Sequence, residues 1–271
     1  MNMKLALCQM QVGTQKEKNL ERAEAMIREA KAAGAHMVSL SEFFNSPYST
    51  ELFREYAEPE GGPTFTRLSG LAAELDIYIV GGTIPELDGD RLCNTSFIFN
   101  RKGELIAKHR KVHLFDIYLK DGISMKESDQ LTAGNSITVF DTEYGKVGVA
   151  ICYDVRFPEM MRMMALAGAK LIILPACFPV VTGKAHWDLT MRCRAIDNQV
   201  YFAANSAARP KNPEYFQAFG HSCIIDPWGE YRARADEGET IIFGDLDMEY
   251  LESVREQLPL LAHRRPELYV L

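Results

Sequence analysis

The sequence predicts an α/β fold, a four-layer α-β-β-α sandwich with an internal pseudo-two-fold duplication. The first observation is a repeat: residues 33–40 parallel residues 167–174, each a helix exit at glycine followed by an apolar strand. Residues 76–82 parallel residues 198–204 in the same way. Each half of the chain therefore follows the order β-α-β-α-β-β.

Each half also closes with a predicted hairpin. Residues 97–105 and residues 223–231 are apolar stretches that run into a turn containing Gly103 or Gly229. The matching turns indicate one plan used twice.

The helices of this plan carry apolar stripes at helical spacing. Such a stripe buries against one face of a sheet, which leaves the other face of each sheet to pack against its counterpart. The four layers follow from this. The stripe residues are Leu20, Ala23, Met26, Ile27 and Ala30 within residues 17–33, and Met160, Met161, Met164 and Ala165 within residues 158–167.

The domain organisation predicted from length is simple. The chain of 271 residues suits a single α/β domain spanning residues 1–271. Residues 259–271 follow the last predicted helix as a tail with few local partners. We expect the tail to contact another subunit of a homodimer or higher homo-oligomer.

Composition excludes several classes of function. A hydrophobic content of 47% and a charged content of 25% are typical of a globular protein. The net charge of −7 argues against nucleic acid as a partner, because phosphate binding needs clustered Lys and Arg. The N-terminal apolar run is too short for a signal peptide, and no stretch reaches about 18 uninterrupted apolar residues, so we expect a cytoplasmic protein with no membrane partner. The six cysteines contain no CxxC pair, so free thiols are expected.

Cys152 is the leading candidate for a nucleophile. It ends the apolar run of residues 146–152, and residues 153–159 open a helix-like stretch. A strand that ends at a helix N-terminus points its last side chain at unpaired N–H groups, which stabilise a thiolate. The alternative is a small buried hydrophobic side chain, which is the commoner role of a lone cysteine.

Two further strand ends carry charged side chains. Glu42 closes the run of residues 38–42, and Lys111 closes residues 105–111. Each residue alone is more often a solvated loop charge. Together with Cys152, however, they supply a thiol, a base and a cation, which are the parts that a hydrolase needs.

Three segments resemble the catalytic signatures of the nitrilase superfamily, which are carbon–nitrogen hydrolases with a Glu-Lys-Cys triad. They are residues 40–44 (Leu-Ser-Glu-Phe-Phe), residues 110–115 (Arg-Lys-Val-His-Leu-Phe) and residues 148–154 (Gly-Val-Ala-Ile-Cys-Tyr-Asp). The order along the chain matches as well, and the resemblance extends from Leu5 to about Tyr269.

Within the superfamily the chain is most similar to the omega-amidases, which hydrolyse the side-chain amide of 2-oxoglutaramate and 2-oxosuccinamate. One departure is at residues 117–122, where those relatives carry a Pro-Gly turn, and it leaves the preferred substrate open. The segments that carry this likeness are residues 111–116, 182–187, 194–201, 220–222 and 227–230.

The resemblance implies an amidase that converts a small oxo-dicarboxylic acid monoamide and water to the acid and ammonia through a Cys152 thioester, without a cofactor. Glu42 takes the thiol proton, and Lys111 with the backbone N–H of Tyr153 holds the developing oxyanion. Glu127 resembles a second glutamate of the superfamily that orients the lysine or the substrate. A surface-loop position is the alternative for Glu127.

Substrate recognition is predicted on fewer signals. Arg156, four residues after the nucleophile, is the candidate partner of a substrate carboxylate, with a structural ion pair as the alternative. Phe178 and Thr182 line the cleft by resemblance, and Tyr48 covers it. Cys177 falls by the duplication near the position of Glu42, and Asp154 is expected to cap the helix rather than to contact substrate.

Two other functions remain open at this point. One is a different amidase of the superfamily, such as a deaminated-glutathione amidase or an N-carbamoyl hydrolase. The other is a catalytically idle interaction protein, against which the intact Glu42, Lys111 and Cys152 count. His109 and His113 stand four residues apart, a spacing that would suggest two metal ligands on a helix. No metal site is predicted, because the flanking residues indicate a strand leaving into a loop and no Glu lies between the two histidines.

Overall fold

Two β-sheets pack face to face at the centre of the computed structural model, which describes residues 2–118 and 124–269. The first sheet contains β1 (Asn2–Gln9), β2 (Met37–Ser39), β3 (Tyr78–Val80), β4 (Ile84–Asp88), β5 (Arg91–Phe99), β6 (Leu105–Arg110) and β15 (Thr240–Asp247). The second contains β9 (Thr138–Thr142), β10 (Gly145–Val149), β11 (Ala169–Ala176), β12 (Tyr201–Ser206), β13 (Cys223–Ile225) and β14 (Tyr231–Arg234). A short antiparallel pair, β7 (Asp116–Tyr118) and β8 (Ser124–Lys126), lies apart from both sheets.

The helices are α1 (Lys16–Ala32), α2 (Phe53–Tyr56), α3 (Pro63–Leu75), α4 (Pro158–Leu166), α5 (Val180–Asn198) and α6 (Met248–Gln257). Helices α1 and α3 cover the outer face of the first sheet through side chains such as Leu20 and Leu68. Helices α4 and α5 cover the outer face of the second sheet through Met161 and Trp187. The predicted α-β-β-α sandwich is therefore confirmed.

The core between the sheets is formed by the inward-facing residues of both. Because successive side chains of a strand point to opposite faces, the same strands supply this core and the helix-facing layers. The inner residues are Leu5, Leu7, Met37, Val80 and Ile98 from the first sheet, and Val147, Val149, Leu171, Ile173, Tyr201 and Ile224 from the second.

The strand order shows the duplication directly. The first sheet runs β15-β1-β2-β3-β5-β4, with β6 also paired to β5, and the second runs β14-β13-β12-β11-β10-β9. Strands β1, β2 and β3 are parallel to one another, as are β10, β11 and β12. The hairpins β5–β6 and β13–β14 are antiparallel and turn at Gly103 and Gly229, as predicted.

Helix ends repeat as well. After α1 the chain turns at Gly34, with φ of 85°, and after α4 it turns at Gly168, with φ of 99°. Helices α3 and α5 both end on a left-handed residue, Asp76 with φ of 50° and Gln199 with φ of 48°. These residues let an outer helix reverse into a central strand in each half.

The three predicted catalytic strands end earlier than expected. Strand β2 ends at Ser39, β6 at Arg110 and β10 at Val149, so Glu42, Lys111 and Cys152 lie on the turns that follow. The helix predicted directly after Cys152 is also wrong in its start. A 3₁₀ turn occupies Cys152–Arg156, and α4 begins only at Pro158, a residue suited to a first helical position.

The remaining expectations concern the termini and the thiols. Within the described part of the tail, residues 259–269, every residue is exposed or half-buried. Residues 119–122 of the loop that departs from the relatives' Pro-Gly turn, and residues 270–271 of the tail, lie outside the described residues. All six cysteines are free thiols, as predicted. No helix in residues 2–118 or 124–269 has the length and apolar character needed to cross a membrane.

Candidate active site

The turns after β2, β6 and β10 bring Glu42, Lys111 and Cys152 together. All three are buried, with side chains that are at most a few per cent exposed. Glu42 and Lys111 come from the first sheet, and Cys152 comes from the second. The predicted thiol, base and cation therefore meet where the two sheets face each other.

The Glu42 carboxylate has one engaged oxygen and one free oxygen. Its Oε1 accepts hydrogen bonds from Asn94 Nδ2 at 2.8 Å and from Lys111 Nζ at 2.9 Å. Its Oε2 is buried and has no hydrogen-bond partner among the described residues. Leaving a buried carboxylate oxygen unpaired costs free energy, so a partner for Oε2 is expected. Oε2 is therefore free to accept a proton from a neighbouring thiol.

Lys111 is held between two carboxylates. Its Nζ lies 2.9 Å from Glu42 Oε1 and 2.9 Å from Glu127 Oε2. Glu127 also accepts hydrogen bonds from the Tyr48 hydroxyl and the Phe115 backbone N–H, each at 2.8 Å. Glu127 is fully buried, so the surface-loop alternative is wrong for this residue.

Burial and the neighbouring charges shift the pKa values of Glu42 and Lys111. Burial and then Glu127 raise the pKa of Glu42, and the Lys111 ammonium opposes this shift only in part. Burial lowers the pKa of Lys111, but Glu127 and Glu42 overcome it and hold that pKa well above its usual range. Lys111 therefore stays an ammonium, while Glu42 is a stronger base than an exposed carboxylate.

Cys152 rests as a thiol rather than a thiolate. Burial and then the Glu42 charge raise its pKa well above the ordinary value, although Lys111 and the backbone of Cys177 act in the opposite direction. The predicted stabilisation of a thiolate by a helix N-terminus is wrong, because α4 begins six residues later at Pro158. A thiol with a raised pKa needs a base before it can act as a nucleophile, and the nearest carboxylate among the groups that act on this pKa is Glu42.

The backbone of Cys152 is in a left-handed conformation, with φ of 45°. Such a conformation costs a non-glycine residue roughly 1–3 kcal/mol and persists only where neighbouring contacts enforce it. Cys152 is the first residue of the 3₁₀ turn, and the residue before it is held by hydrogen bonds between the Ile151 backbone and Asp154.

A cavity of about 530 Å³ opens beside Glu42 and Cys177. Tyr48 lines it, as predicted for a residue that covers the cleft, and packs on Phe216 with ring centroids 4.5 Å apart. Cys177 lies beside Glu42 in this wall, as the duplication predicts. Apolar and aromatic side chains dominate the lining, which is typical of a small-molecule site.

The charges of the cavity are all negative among its described lining residues. Glu42 lies at the inner end, and Glu51 and Glu214 are exposed carboxylates of the lining. Neither Lys nor Arg belongs to the described lining. The described lining therefore offers no cationic side chain to an anionic ligand.

The other predicted binding residues form a separate cluster beside the nucleophile turn. The Arg156 guanidinium lies 5.0 Å from the Phe178 ring centroid, 5.8 Å from that of Tyr153 and 3.2 Å from His186 Nδ1. No carboxylate lies within 4.0 Å of Arg156 in the described part of the chain, so the structural ion pair is not observed. Thr182 is buried in α5, and its hydroxyl lies 3.4 Å from the Pro179 carbonyl.

Sequence reasoning missed Asn94, whose amide holds Glu42. The sequence does contain an indication of this role, because Asn94 is a polar residue in the buried strand β5. A buried side-chain amide nearly always has a hydrogen-bond partner. His109 and His113, the pair considered for a metal site, make hydrogen bonds instead. His113 Nδ1 lies 2.8 Å from Asp154 Oδ1, and His109 Nδ1 lies 3.0 Å from Thr138 Oγ1. No metal-binding group of three His, Cys, Asp or Glu side chains occurs within the described residues.

Known proteins share this arrangement over nearly the whole chain. Residues 4–256 match the model of a family described as carbon-nitrogen hydrolase. The chain is 48% identical over 266 residues to the omega-amidase NIT2 of Xenopus tropicalis, which is 98% of this chain and 96% of the relative. It is 46% identical to the omega-amidase NIT2 of Homo sapiens over the same shares.

Solved structures are similar as well. The crystal structure of Saccharomyces cerevisiae Nit3, described as a member of branch 10 of the nitrilase superfamily, has a TM-score of 0.90 at 46% identity. The match covers 97% of this chain and 97% of that chain. The Caenorhabditis elegans NitFhit protein has a TM-score of 0.90 at 32% identity, over 99% of this chain and 66% of that one.

Proposed function

The chain belongs to the carbon–nitrogen hydrolase family, and we propose that it hydrolyses the terminal amide of small oxo-dicarboxylic acid monoamides, with 2-oxoglutaramate and 2-oxosuccinamate as substrates. The observation that carries the reaction is the free Oε2 of Glu42 beside a buried thiol and a buried ammonium. The substrate class rests on the omega-amidase relatives, which match over 98% of the chain.

Acylation begins when Cys152 attacks the amide carbon and its proton passes to Glu42 Oε2. A C–S bond forms, and negative charge develops on the carbonyl oxygen. The Lys111 ammonium and the backbone N–H of Tyr153 stabilise that charge, a role for which one donor contributes roughly 3 kcal/mol. Glu42 then returns the proton to the nitrogen, the C–N bond breaks, and ammonia leaves.

Deacylation uses the same groups in reverse order. Glu42, again a carboxylate, takes a proton from a water molecule that attacks the thioester carbon. The oxyanion forms at the same donors, the C–S bond breaks, and Cys152 recovers its proton from Glu42. Glu127 keeps the ammonium of Lys111 in place through both steps, because its Oε2 lies 2.9 Å from Lys111 Nζ.

Recognition of the distal carboxylate is assigned to Arg156. Its guanidinium is stacked on Phe178 and Tyr153 and has no carboxylate partner in the described part of the chain. A planar guanidinium that is fixed by aromatic rings can bind a carboxylate through two parallel hydrogen bonds. Phe178 and Tyr153 thus orient the arginine, while Tyr48 and Thr182 complete the walls of the site.

Replacement of Arg156 by leucine tests this assignment. For 2-oxoglutaramate, the substitution should cost roughly 2–4 kcal/mol of transition-state stabilisation, the range for losing one partner of a desolvated charge pair. This corresponds to a fall in kcat/KM of about 30- to 900-fold. A neutral amide of similar length should lose far less. Arg192→Leu is the matched control, since Arg192 also lies over a ring, that of Tyr231 at 5.9 Å. Equal losses on both substrates would remove Arg156 from recognition.

The two other readings are separated by a panel of amides. Ammonia release from the oxo-acid monoamides, against deaminated glutathione and N-carbamoyl amino acids, ranks the activities by kcat/KM. The assignment fails if either of the latter classes is turned over faster than 2-oxoglutaramate. A purified protein that hydrolyses none of them would support the interaction-protein alternative.

We further propose a cytoplasmic homodimer of single-domain subunits in which the tail contributes to the interface. The outer face of α4 and α5 exposes Met163 and Leu189, and the tail exposes Leu268 and Tyr269. Arg264 and Tyr269 of the tail lie near Arg162 of α4 and influence its pKa, so these surfaces adjoin. Light scattering should give twice the chain mass, and a chain ending at residue 258 should be monomeric. A full-length monomer at micromolar concentration would contradict the proposal.

A further inference from the structure

Asp154 stands between the nucleophile turn of one sheet and the lysine-bearing strand of the other. It is 0% exposed, and it follows Cys152 by two residues. Its neighbours across the sheet junction are His109, the fifth residue of β6, and His113, two residues after Lys111. The carboxylate therefore touches both of the chain segments that carry the nucleophile and the cation.

Both oxygens of Asp154 are engaged. Oδ2 accepts a hydrogen bond from the Ile151 backbone N–H at 2.9 Å and lies 3.4 Å from His109 Nε2. Oδ1 accepts from the His113 backbone N–H at 2.8 Å and lies 2.8 Å from His113 Nδ1. One side of this set is the residue before Cys152, and the other side brackets Lys111.

The histidines are themselves fixed. His109 is buried and pairs through Nδ1 with Thr138 Oγ1 at 3.0 Å. His113 stacks on Phe157, with ring centroids 3.6 Å apart and an interplanar angle of 9°. Because each ring is held from a second side, Asp154 cannot shift toward one segment without leaving the other.

We propose that Asp154 is a positioning residue of the amidase reaction, which with His109 and His113 sets the separation between the Cys152 thiol and the Lys111 ammonium. This inference rests on the proposed function. The link crosses the junction of the two sheets, whereas Glu42 and Lys111 both follow strands of the first sheet and need no such link.

The charge of Asp154 suits this role. Burial raises its pKa, but hydrogen bonds with His109 and His113, the charge interaction with His109 and the Ile151 N–H more than offset this and lower the pKa well below its usual range. The group stays ionised, so it can accept from every donor that surrounds it. An amide in its place would turn one acceptor into a donor that faces another N–H.

The first test is Asp154→Asn. We expect kcat to fall by about 10²-fold with KM within about threefold, because a misplacement of the order of 1 Å is felt mainly in the transition state. Asp226→Asn is the matched control: Asp226 is also buried, accepts two backbone N–H groups at 2.9 Å and pairs with Arg232 at 2.8 Å, but lies in the β13–β14 turn. A wild-type kcat in Asp154→Asn, or an equal loss in Asp226→Asn, would overturn the proposal.

A second pair of variants remains informative if Asp154→Asn does not fold. His113→Asn keeps an N–H donor near the position of Nδ1, and His113→Leu removes it without adding charge. We expect kcat of His113→Asn to stay within about threefold of the wild-type value, and kcat of His113→Leu to fall at least about tenfold. Equal kcat values for the two variants would refute a role for the Asp154 contact.

A readout that does not depend on amide hydrolysis separates this proposal from the proposed function. The rate at which iodoacetamide alkylates Cys152, followed by mass spectrometry against pH, reports the pKa of that thiol. Burial, Glu42, Lys111 and the Cys177 backbone act most strongly on this pKa. The midpoint should move toward an ordinary thiol in Asp154→Asn and His113→Leu, and stay unchanged in Asp226→Asn and His113→Asn. An unmoved midpoint in all four would overturn the inference even if the amidase activity is correct.

Discussion

The two halves of the chain share a frame but differ in the turns that leave it. The turn after β2 carries Glu42, and the turn after the matching strand β11 carries Cys177. The nucleophile instead follows β10, the counterpart of β1. The comparison teaches that the duplication supplies the scaffold, while the chemistry depends on turns in which the halves have diverged.

Backbone conformation draws the same distinction. Left-handed residues at helix ends occur in both halves, at Asp76 and Gln199. The two at the catalytic turns, Phe43 with φ of 52° and Cys152 with φ of 45°, follow strands that do not match. Left-handed residues at equivalent helix ends therefore belong to the common fold of the two halves. Those at Phe43 and Cys152 belong to the turns that carry the candidate catalytic residues.

The sharpest test of this comparison sets the two thiols of the site against each other. Cys152→Ala should abolish amide hydrolysis, with a loss of about four orders of magnitude or more, as for removal of a covalent nucleophile. Cys177→Ala should keep activity within about tenfold, because Cys177 lines the wall but does not attack. Single-turnover assays on folded variants decide the matter. A residual turnover in Cys152→Ala that disappears in the double variant would make Cys177 the nucleophile.

The next effect belongs to Lys111, which the first half contributes. Lys111→Met should lower kcat by about 10²–10³-fold with little change in KM, since the ammonium stabilises charge that exists only in the transition state. Steady-state kinetics on 2-oxoglutaramate provide the measurement. A variant in which KM alone rises would make Lys111 a substrate-binding residue and leave the oxyanion to the second half.

The dependence of kcat/KM on pH should show an acid limb set by Glu42 of the first half and an alkaline limb set by Cys152 of the second half. Glu42 has a raised pKa, so kcat/KM should fall with decreasing pH at a midpoint above the carboxyl value of about 4.5, where the base becomes protonated. Cys152 also has a raised pKa, so the alkaline fall should lie above the ordinary thiol value of about 8.5. Each limb is tenfold per pH unit. An acid midpoint at or below that of a free carboxyl group would contradict the burial of Glu42.

The smallest expected effect concerns the cavity, to which each half gives one exposed carboxylate. Glu51→Gln and Glu214→Gln should each raise kcat/KM for anionic 2-oxoglutaramate by about two- to fivefold at low ionic strength, and the gain should vanish in high salt. A neutral amide serves as the control and should not respond. A gain that persists in 1 M salt would point to a steric effect of the substitution.

Sequence patterning predicted most of the fold because its signals are local. Apolar stripes, glycine helix exits and paired hairpins are each visible within a dozen residues, and all of them appear in the two halves. The start of α4 was misplaced, because a polar 3₁₀ turn and a first helical turn have similar composition. Pro158 was the available signal for the true start.

Within the site, the residues with a local motif were found and those positioned by packing were not. Glu42, Lys111 and Cys152 each end an apolar run, which a single sequence displays. The partners Asn94 and Asp154 act across the structure, through contacts separated by 52 residues to Glu42 and 41 to His113. The raised pKa of Cys152 could not be predicted either, because it depends on burial and on a carboxylate that follows a strand of the other sheet.

The meeting of the two sheets at one reactive point has a consequence for how such a catalyst can fail and arise. Neither repeat alone carries a full set of groups, since one holds the base and the cation and the other holds the sulfur. Activity is thus a reporter of docking: any disturbance that slides one sheet over the other should silence the enzyme while circular dichroism still records intact strands. By the same logic, an ancestral single repeat could have provided a framework for this reaction only after fusion with, or assembly beside, a second copy.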